Sequence, residues 1–191
     1  GGSCAMGPGL FATFVDVFRT QVERYEERTL YRFLIDGNVD GPIASLTLGM
    51  LDRRARAIGA RLRAERAVEQ RALLLYPPGL DYVTAFFGCL VGGVVAVPAY
   101  PPDPARLERT LPRLRAIVRD CGATVVLTTS AIAGLAGAFV SAAPELAQLR
   151  FIATDTIPDH EADDWRAPSC SADSLAFLQY TSGSTGVPRG V

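Results

Sequence analysis

The fold is decided by residues 71–98, RALLLYPPGLDYVTAFFGCLVGGVVAVP. The two ends of this stretch, residues 71–76 and 94–98, are continuous apolar runs, which predicts two buried strands. Between them, Pro77-Pro78-Gly79 precedes a helix that Gly92-Gly93 ends, and its apolar face comprises Tyr82, Val83, Phe86, Phe87 and Leu90. A strand, a helix and a strand within about 30 residues predict a right-handed βαβ unit with parallel strands.

The same alternation extends in both directions from this unit. Downstream, the pattern predicts a helix over 105–120 with Pro112 as a kink, a strand over 124–128, a helix over 131–140 and a strand over 149–154. Upstream, it predicts a helix over 10–26, a hairpin of strands 30–35 and 43–46, and a helix over 48–64 capped by Thr47. We therefore expect an α/β fold with a doubly wound, mostly parallel sheet.

Two polar regions are expected to lie at the surface. The helix over 48–64 carries arginines that we interpret as a solvated face, namely Arg53, Arg54, Arg56, Arg61 and Arg63. Residues 155–173 are polar and contain proline, which predicts a surface loop. The only histidine, His160, lies in that loop among several acids, but adjacent acids in a loop are usually just solvated, so no metal site is expected there.

Composition excludes several classes of protein. The chain has 191 residues, 49% of them hydrophobic, which indicates a globular domain rather than a disordered segment. With 19 basic and 20 acidic residues, it offers no sign of the basic face that a nucleic acid partner requires. Four scattered cysteines without partner histidines argue against a metal site and favour a reduced, cytoplasmic protein. No apolar run is long enough to predict a membrane span.

The end of the chain carries the clearest chemical signal. Residues 175–179 form a short apolar run, interpreted as a buried strand, and are followed by YTSGSTGVPRG over residues 180–190. Glycine amides and hydroxyl groups are the hydrogen-bond donors that a polyphosphate needs, and Arg189 adds a positive charge. The spacing matches neither a Walker A loop nor a dinucleotide fingerprint. We therefore predict a different kind of phosphate-binding loop, with a flexible Gly/Ser linker as the weaker alternative.

These residues resemble the phosphate-binding loop of the adenylate-forming, or acyl-activating, enzyme superfamily, T-S-G-S/T-T-G-x-P-K/R-G. Arg189 stands where most members carry lysine, so the charge is kept while its shape changes. The resemblance covers residues 10–191 and is most specific to the fatty acyl-AMP ligase branch. It is carried by RFLIDG (32–37), RARAI (54–58), LLLYPPGLDY (73–82), AFFGCL (85–90), AVPAYPP (96–102) and FLQY (177–180).

The resemblance implies an enzyme that uses ATP and Mg²⁺ to convert a fatty acid into an acyl-adenylate and pyrophosphate. The acyl group would then pass to the phosphopantetheine of an acyl carrier protein in a polyketide or lipopeptide system. It assigns phosphate binding to Thr181, Ser182, Gly183, Ser184, Thr185, Gly186, Pro188, Arg189 and Gly190. Catalytic residues are expected downstream of Val191, so residues 1–191 alone are expected to be inactive.

Three other functions remain open from the sequence. They are a long-chain acyl-CoA synthetase, an amino-acid adenylation domain and, for residues 1–191 alone, a non-catalytic ATP-binding module. For the domain organisation, we interpret residues 1–9 as an expression remnant or flexible start, with Met6 as the natural start. Residues 10–191 are then the N-terminal subdomain of an AMP-binding domain, truncated just after the phosphate-binding loop. We also expect this loop to gain order when nucleotide binds, because it has little apolar area to bury.

Overall fold

The computed structural model describes residues 13–182 and 188–191. The strands are β1 (Thr29–Leu34), β2 (Ile43–Thr47), β3 (Arg71–Leu75), β4 (Val95–Ala99), β5 (Val125–Thr128), β6 (Arg150–Ala153), β7 (Tyr180–Ser182) and β8 (Pro188–Gly190). The helices are α1 (Phe14–Tyr25), α2 (Leu48–Ala64), α3 (Leu80–Gly92), α4 (Leu107–Cys121), α5 (Ser130–Ala133) and α6 (Ala136–Ala142). Short 3-10 helices occupy Pro104–Arg106, Pro144–Gln148, Thr154–Thr156 and Asp159–Asp164.

The centre of the fold is a parallel sheet with the strand order β4-β3-β5-β6. Side chains alternate along β3: Ala72 and Leu74 pack in the cluster that includes residues of α2 and α3, whereas Leu73 and Leu75 pack with α4 and α6. Both faces of the sheet are therefore covered by helices, and the predicted doubly wound α/β fold is confirmed.

The βαβ unit forms as the sequence predicts. The helix α3 runs from Leu80 to Gly92, and Gly93 caps it in the left-handed conformation at φ 67°. Strands β3 and β4 pair in parallel from Arg71↔Val95 to Leu75↔Ala99. Glycines let α2 and α3 approach closely, since a Cβ built on Gly92 would lie 3.1 Å from the Cα of Gly59.

The upstream elements also agree with the prediction. Strands β1 and β2 form an antiparallel hairpin. Thr47 caps α2, its hydroxyl accepting a 3.2 Å hydrogen bond from the amide of Met50. In the described part of the first helix, Thr13 and Asp16 form a reciprocal capping box. Residues 10–12 of that predicted helix lie outside the described residues.

The predicted helix over 131–140 is wrong in its continuity. The structure has two short helices there, α5, which ends at Ala133, and α6, which begins at Ala136. Gly134, a residue of low helix propensity, follows the first helix at this break, although α6 accommodates Gly137 within it. The helix α4, in contrast, continues past Pro112, and the predicted kink at that residue stays a prediction.

The prediction of a surface loop over 155–173 is also wrong for its first half. Ile157 and Ala162 are buried against the cluster that includes α2, and two of the 3-10 helices lie in this segment.

The interpretation of a solvated arginine face on α2 is wrong for three of its members. Arg54, Arg56 and Arg61 hydrogen-bond to residues 154–162. The main-chain carbonyls of an irregular segment need donors, and arginine supplies several of them.

The fourth correction concerns residues 175–179. They lie beside the outer edge of β4, with a single bridge between Phe177 and Ala96, and they do not form a buried strand. Leu175 and Phe177 are 52% and 45% exposed. On the side away from β4, the described main-chain pairing of this segment is limited to Gln179 with Val191, and the apolar side chains of Leu175 and Phe177 keep much of their contact with water.

Candidate phosphate-binding site

The candidate phosphate loop, residues 181–190, is built on an antiparallel hairpin. Strands β7 and β8 pair Tyr180 with Gly190, Thr181 with Arg189 and Ser182 with Pro188. Below this hairpin, the amides of Gln179 and Val191 each donate a 3.0 Å hydrogen bond to the other residue's carbonyl. The two ends of the predicted loop are therefore held side by side by main-chain pairing.

The structure covers only part of the predicted binding residues. Thr181 and Gly190 are exposed, and Ser182, Pro188 and Arg189 are placed by their main chain in the hairpin. Gly183, Ser184, Thr185 and Gly186 lie outside the described residues. The assignment of all nine residues to phosphate binding, and the expected ordering on nucleotide binding, stay predictions.

The hairpin is attached to α4 through Tyr180. This side chain is 8% exposed and packs in the core cluster that includes Leu111 and Leu114 of α4. Its phenol donates a hydrogen bond to the carboxylate of Asp120 at the end of the same helix. Burial and the neighbouring Asp120 carboxylate raise the pKa of Tyr180, so the phenol stays protonated at neutral pH.

The segment that leads into the hairpin is positioned by β4. The amide of Ala96 donates to the carbonyl of Ala176 at 3.1 Å, and the amide of Leu178 donates to the carbonyl of Ala96 at 2.8 Å. Phe177 packs edge-on against Phe86 of α3, with ring centroids 5.6 Å apart. The phosphate loop is thus connected to both faces of the sheet, to α3 through Phe177 and to α4 through Tyr180.

A second polar cluster, which no sequence motif indicates, lies at the carboxyl ends of β3 and β5. The hydroxyl of Thr128 donates to the carbonyl of Leu75 at 2.6 Å, and the hydroxyls of Tyr76 and Thr154 are 2.7 Å apart. Burial raises the pKa of Tyr76. These strands flank the point where the strand order reverses, which is where ligands bind in open α/β sheets. Only the strand order reveals this position, and the buried polar side chains there already have partners.

The cysteines offer no evidence of a nucleophile in the described residues. Cys89 and Cys121 are buried, and burial raises the pKa of both thiols. Across residues 13–182 and 188–191, no group of three or more histidine, cysteine and acidic side chains could hold a metal ion. In that same part of the chain, no helix is both long and apolar enough to cross a membrane.

Comparison with known proteins assigns the chain to a family. The model of the AMP-binding enzyme family matches residues 18–191. The chain is 43% identical over 182 residues to the medium-chain-fatty-acid–acyl-carrier-protein ligase JamA of Moorena producens, covering 95% of this chain and 30% of that protein. It is 36% identical over 167 residues to the long-chain-fatty-acid–AMP ligase FadD32 of Mycobacterium marinum, covering 86% of this chain and 26% of that protein.

A solved structure agrees with these relatives. The fatty acyl-adenylate ligase of L. pneumophila, in complex with acyl adenylate and pyrophosphate, superimposes with a TM-score of 0.78 at 34% identity. The match covers 93% of this chain and 29% of that one. The chain thus spans about 30% of the length of the relatives it matches. It belongs to the AMP-binding enzyme family, and fatty-acid ligases are among its relatives.

Proposed function

We propose that the complete protein activates a fatty acid with ATP, forming an acyl-adenylate and pyrophosphate. The observation that supports this most directly is the donor-rich segment 181–190 on a hairpin that is anchored to the core by Tyr180. The relatives whose names describe fatty-acid ligases support the substrate class. An oxygen of the fatty-acid carboxylate would attack the α-phosphorus, and the bond from that phosphorus to the oxygen bridging to the β-phosphate would break.

The loop residues would act on the pyrophosphate that leaves. Negative charge grows on the β- and γ-phosphates in this step, so donors that are already in position lower the barrier. Hydroxyls of Thr181, Ser182, Ser184 and Thr185 would donate to the phosphate oxygens, and amides of Gly183 and Gly186 would line the cradle. Pro188 would stiffen the exit towards Gly190, and Arg189 would contribute its charge.

A magnesium ion fits this donor set without a dedicated protein cage. The loop offers hydroxyl and carbonyl oxygens, the hard ligands that Mg²⁺ accepts, and no thiol or imidazole. Magnesium in such sites is bound largely through substrate phosphates, and it would neutralise charge on the triphosphate. The chain's own residues would orient the triphosphate.

The second half-reaction that we propose is acyl transfer to the phosphopantetheine thiol of an acyl carrier protein in a polyketide or lipopeptide system. The thiol would attack the acyl carbonyl, and AMP would leave. This choice of acceptor rests on the similarity to JamA, which is named as a medium-chain-fatty-acid–acyl-carrier-protein ligase. Coenzyme A is the alternative acceptor, because another relative, fadD21 of Mycobacterium leprae, which is 35% identical, is called a putative fatty-acid–CoA ligase.

We further propose a cytoplasmic location for the complete protein.

The test is a thin-layer assay of the complete protein with labelled fatty acid and ATP. We expect acyl-adenylate to accumulate, to persist when coenzyme A is added and to be consumed when a carrier protein is added. Consumption by coenzyme A would instead identify an acyl-CoA synthetase. Pyrophosphate exchange driven by amino acids would identify an amino-acid adenylation domain, and ATP binding without product would identify a non-catalytic module. Residues 1–191 alone are expected to form no adenylate, since catalytic residues are expected beyond Val191.

A further inference from the structure

We propose that Asp120 is a positioning residue that, through the phenol of Tyr180, holds the β7–β8 hairpin flanking the phosphate loop in position for ATP. This inference rests on the proposed function, in which the loop binds the triphosphate. Asp120 would act through Tyr180, the residue immediately before Thr181.

The contact joins two distant parts of the sequence. Asp120 lies near the end of α4, and Tyr180 lies 60 positions later at the start of β7. Asp120 is exposed, whereas Tyr180 is buried. The Tyr180 side chain therefore extends from the core to the surface end of α4, where its hydroxyl meets Asp120. A tyrosine hydroxyl that donates to a carboxylate makes a charge-assisted hydrogen bond, which is stronger than one between neutral groups.

The ring of Tyr180 also lies close to Gly190, at the other end of the loop. Gly190 is the cross-strand partner of Tyr180, and a Cβ built on Gly190 would lie 3.1 Å from Cζ and 3.2 Å from the phenol oxygen. The end of the ring that bonds to Asp120 therefore lies over the main chain of Gly190. Glycine at position 190 leaves room for this arrangement, and a larger side chain would push the phenol away from Asp120. One side chain thus fixes both ends of the loop.

The helix that presents Asp120 is itself well anchored. Its inner face buries Leu111, Leu114, Ile117, Val118 and Cys121. At its end, Gly122 caps the helix in the left-handed conformation, and Arg71 of β3 donates a 2.8 Å hydrogen bond to the carbonyl of Cys121. Asp120 is therefore held in a fixed position relative to the sheet. Its hydrogen bond to Tyr180 would hold the hairpin in a fixed position relative to α4.

A set of variants separates this role from simple packing. Tyr180→Phe keeps the ring in the core and removes only the donor, and Asp120→Ala removes the acceptor. Asp120→Asn keeps a neutral acceptor, so it should restore part of what alanine loses. Glu108→Ala is the matched control, because Glu108 is an exposed acid on the same helix without a hydrogen-bond partner among the described side chains.

The kinetic test uses the complete enzyme. We expect Tyr180→Phe and Asp120→Ala each to raise the KM for ATP about two- to tenfold, which is the scale of one net hydrogen bond. The KM for the fatty acid should stay within the range of the Glu108→Ala control. The double variant should match the worse single variant, because both changes remove the same interaction. Additive effects, or equal rises in both KM values, would overturn the proposal and leave Tyr180 as a packing residue.

A second measurement does not depend on the reaction. Hydrogen exchange without nucleotide should speed up at the paired amides of Gln179, Thr181 and Val191 in Tyr180→Phe and Asp120→Ala, while amides within β3 stay as in the parent. Unchanged exchange at those three amides would overturn the proposal even if activity fell. An unmodified complete enzyme that makes no acyl-adenylate would refute the proposed function, while exchange would still decide whether Asp120 holds the hairpin.

Discussion

Gly88 of α3 lies directly against Ile58 of α2, so closely that a Cβ built on Gly88 would be 2.6 Å from Cγ2 of Ile58. Ile58 is fully buried, and its Cβ would be only 2.7 Å away as well. Real side chains do not approach this closely, so the two helices would have to move apart to admit a methyl group. The contact between α2 and α3 therefore depends on the absence of a side chain at position 88.

Gly88→Ala is accordingly expected to destabilise the fold. Overpacking a core costs about 1–3 kcal/mol, which outweighs the gain of up to about 1 kcal/mol from replacing glycine by alanine inside a helix. Chemical denaturation should show a lower midpoint. Gly137→Ala is the matched control, because a methyl group on this glycine of α6 would have no heavy atom of the described residues within 4 Å. That variant should be as stable as the parent or more so, and a destabilised Gly137→Ala would refute the packing argument.

Arg54 connects α2 to the segment that follows β6. Its guanidinium donates 2.7 Å hydrogen bonds to the carbonyls of Thr154 and Ile157 and to the carboxylate of Asp159. Arg54→Met keeps the aliphatic length and removes all three donors, so we expect a loss of about 1–3 kcal/mol in the free energy of unfolding. Urea denaturation measures this loss, with the exposed neighbour Arg53→Met as the control.

Lysine should not replace Arg54 well. A single ammonium group cannot reproduce the planar fork that reaches two carbonyls and a carboxylate at once. Arg54→Lys is therefore expected to be nearer in stability to Arg54→Met than to the parent. A lysine variant with parental stability would show that only the positive charge matters, and that the carbonyls of residues 154 and 157 find other partners.

The sequence predicted what is encoded locally. The strands and helix of residues 71–98, the β1–β2 hairpin and the capped start of α2 follow from apolar spacing and capping residues within short windows. These signals need no knowledge of distant residues. For the same reason, the alternation of strands and helices was sufficient to predict the doubly wound sheet.

The features that could not be predicted from the sequence depend on contacts between residues that are far apart along the chain. Arg54 contacts residues 100 and more positions later, and its spacing on α2 looks like that of any exposed helical arginine. The run 175–179 is apolar enough for a buried strand, but its position at the outer edge of β4 determines its exposure. Likewise, Asp120 carries no local sign that it will meet Tyr180. Such contacts follow from strand order, which periodicity does not encode.

The cysteines provide a prediction about reactivity. Cys89 and Cys121 are buried with raised thiol pKa values, so little thiolate forms near neutral pH and reagents have little access to it. Cys170 is only partly buried. A maleimide reagent at neutral pH should therefore label Cys170 well before Cys89 and Cys121, as followed by peptide mass mapping. Rapid native labelling of Cys89 would contradict the packing of α3 against the sheet, and denaturant should abolish the difference.

The last prediction concerns the cation of the phosphate loop. Arg189→Ala in the complete enzyme should weaken the use of ATP, because a charge-assisted contact to phosphate contributes about 1.5–3 kcal/mol, or roughly ten- to a hundredfold in the KM for ATP. Arg189→Lys should be much milder, since it keeps a charge that phosphate can bind and most members of the superfamily carry lysine there. Arg109→Ala on α4 is the control for removing one exposed arginine. The KM for the fatty acid should not change in any of the three variants. If Arg189→Ala left the dependence on ATP unchanged, position 189 would have no part in phosphate binding, and the assignment of the loop would have to be given up.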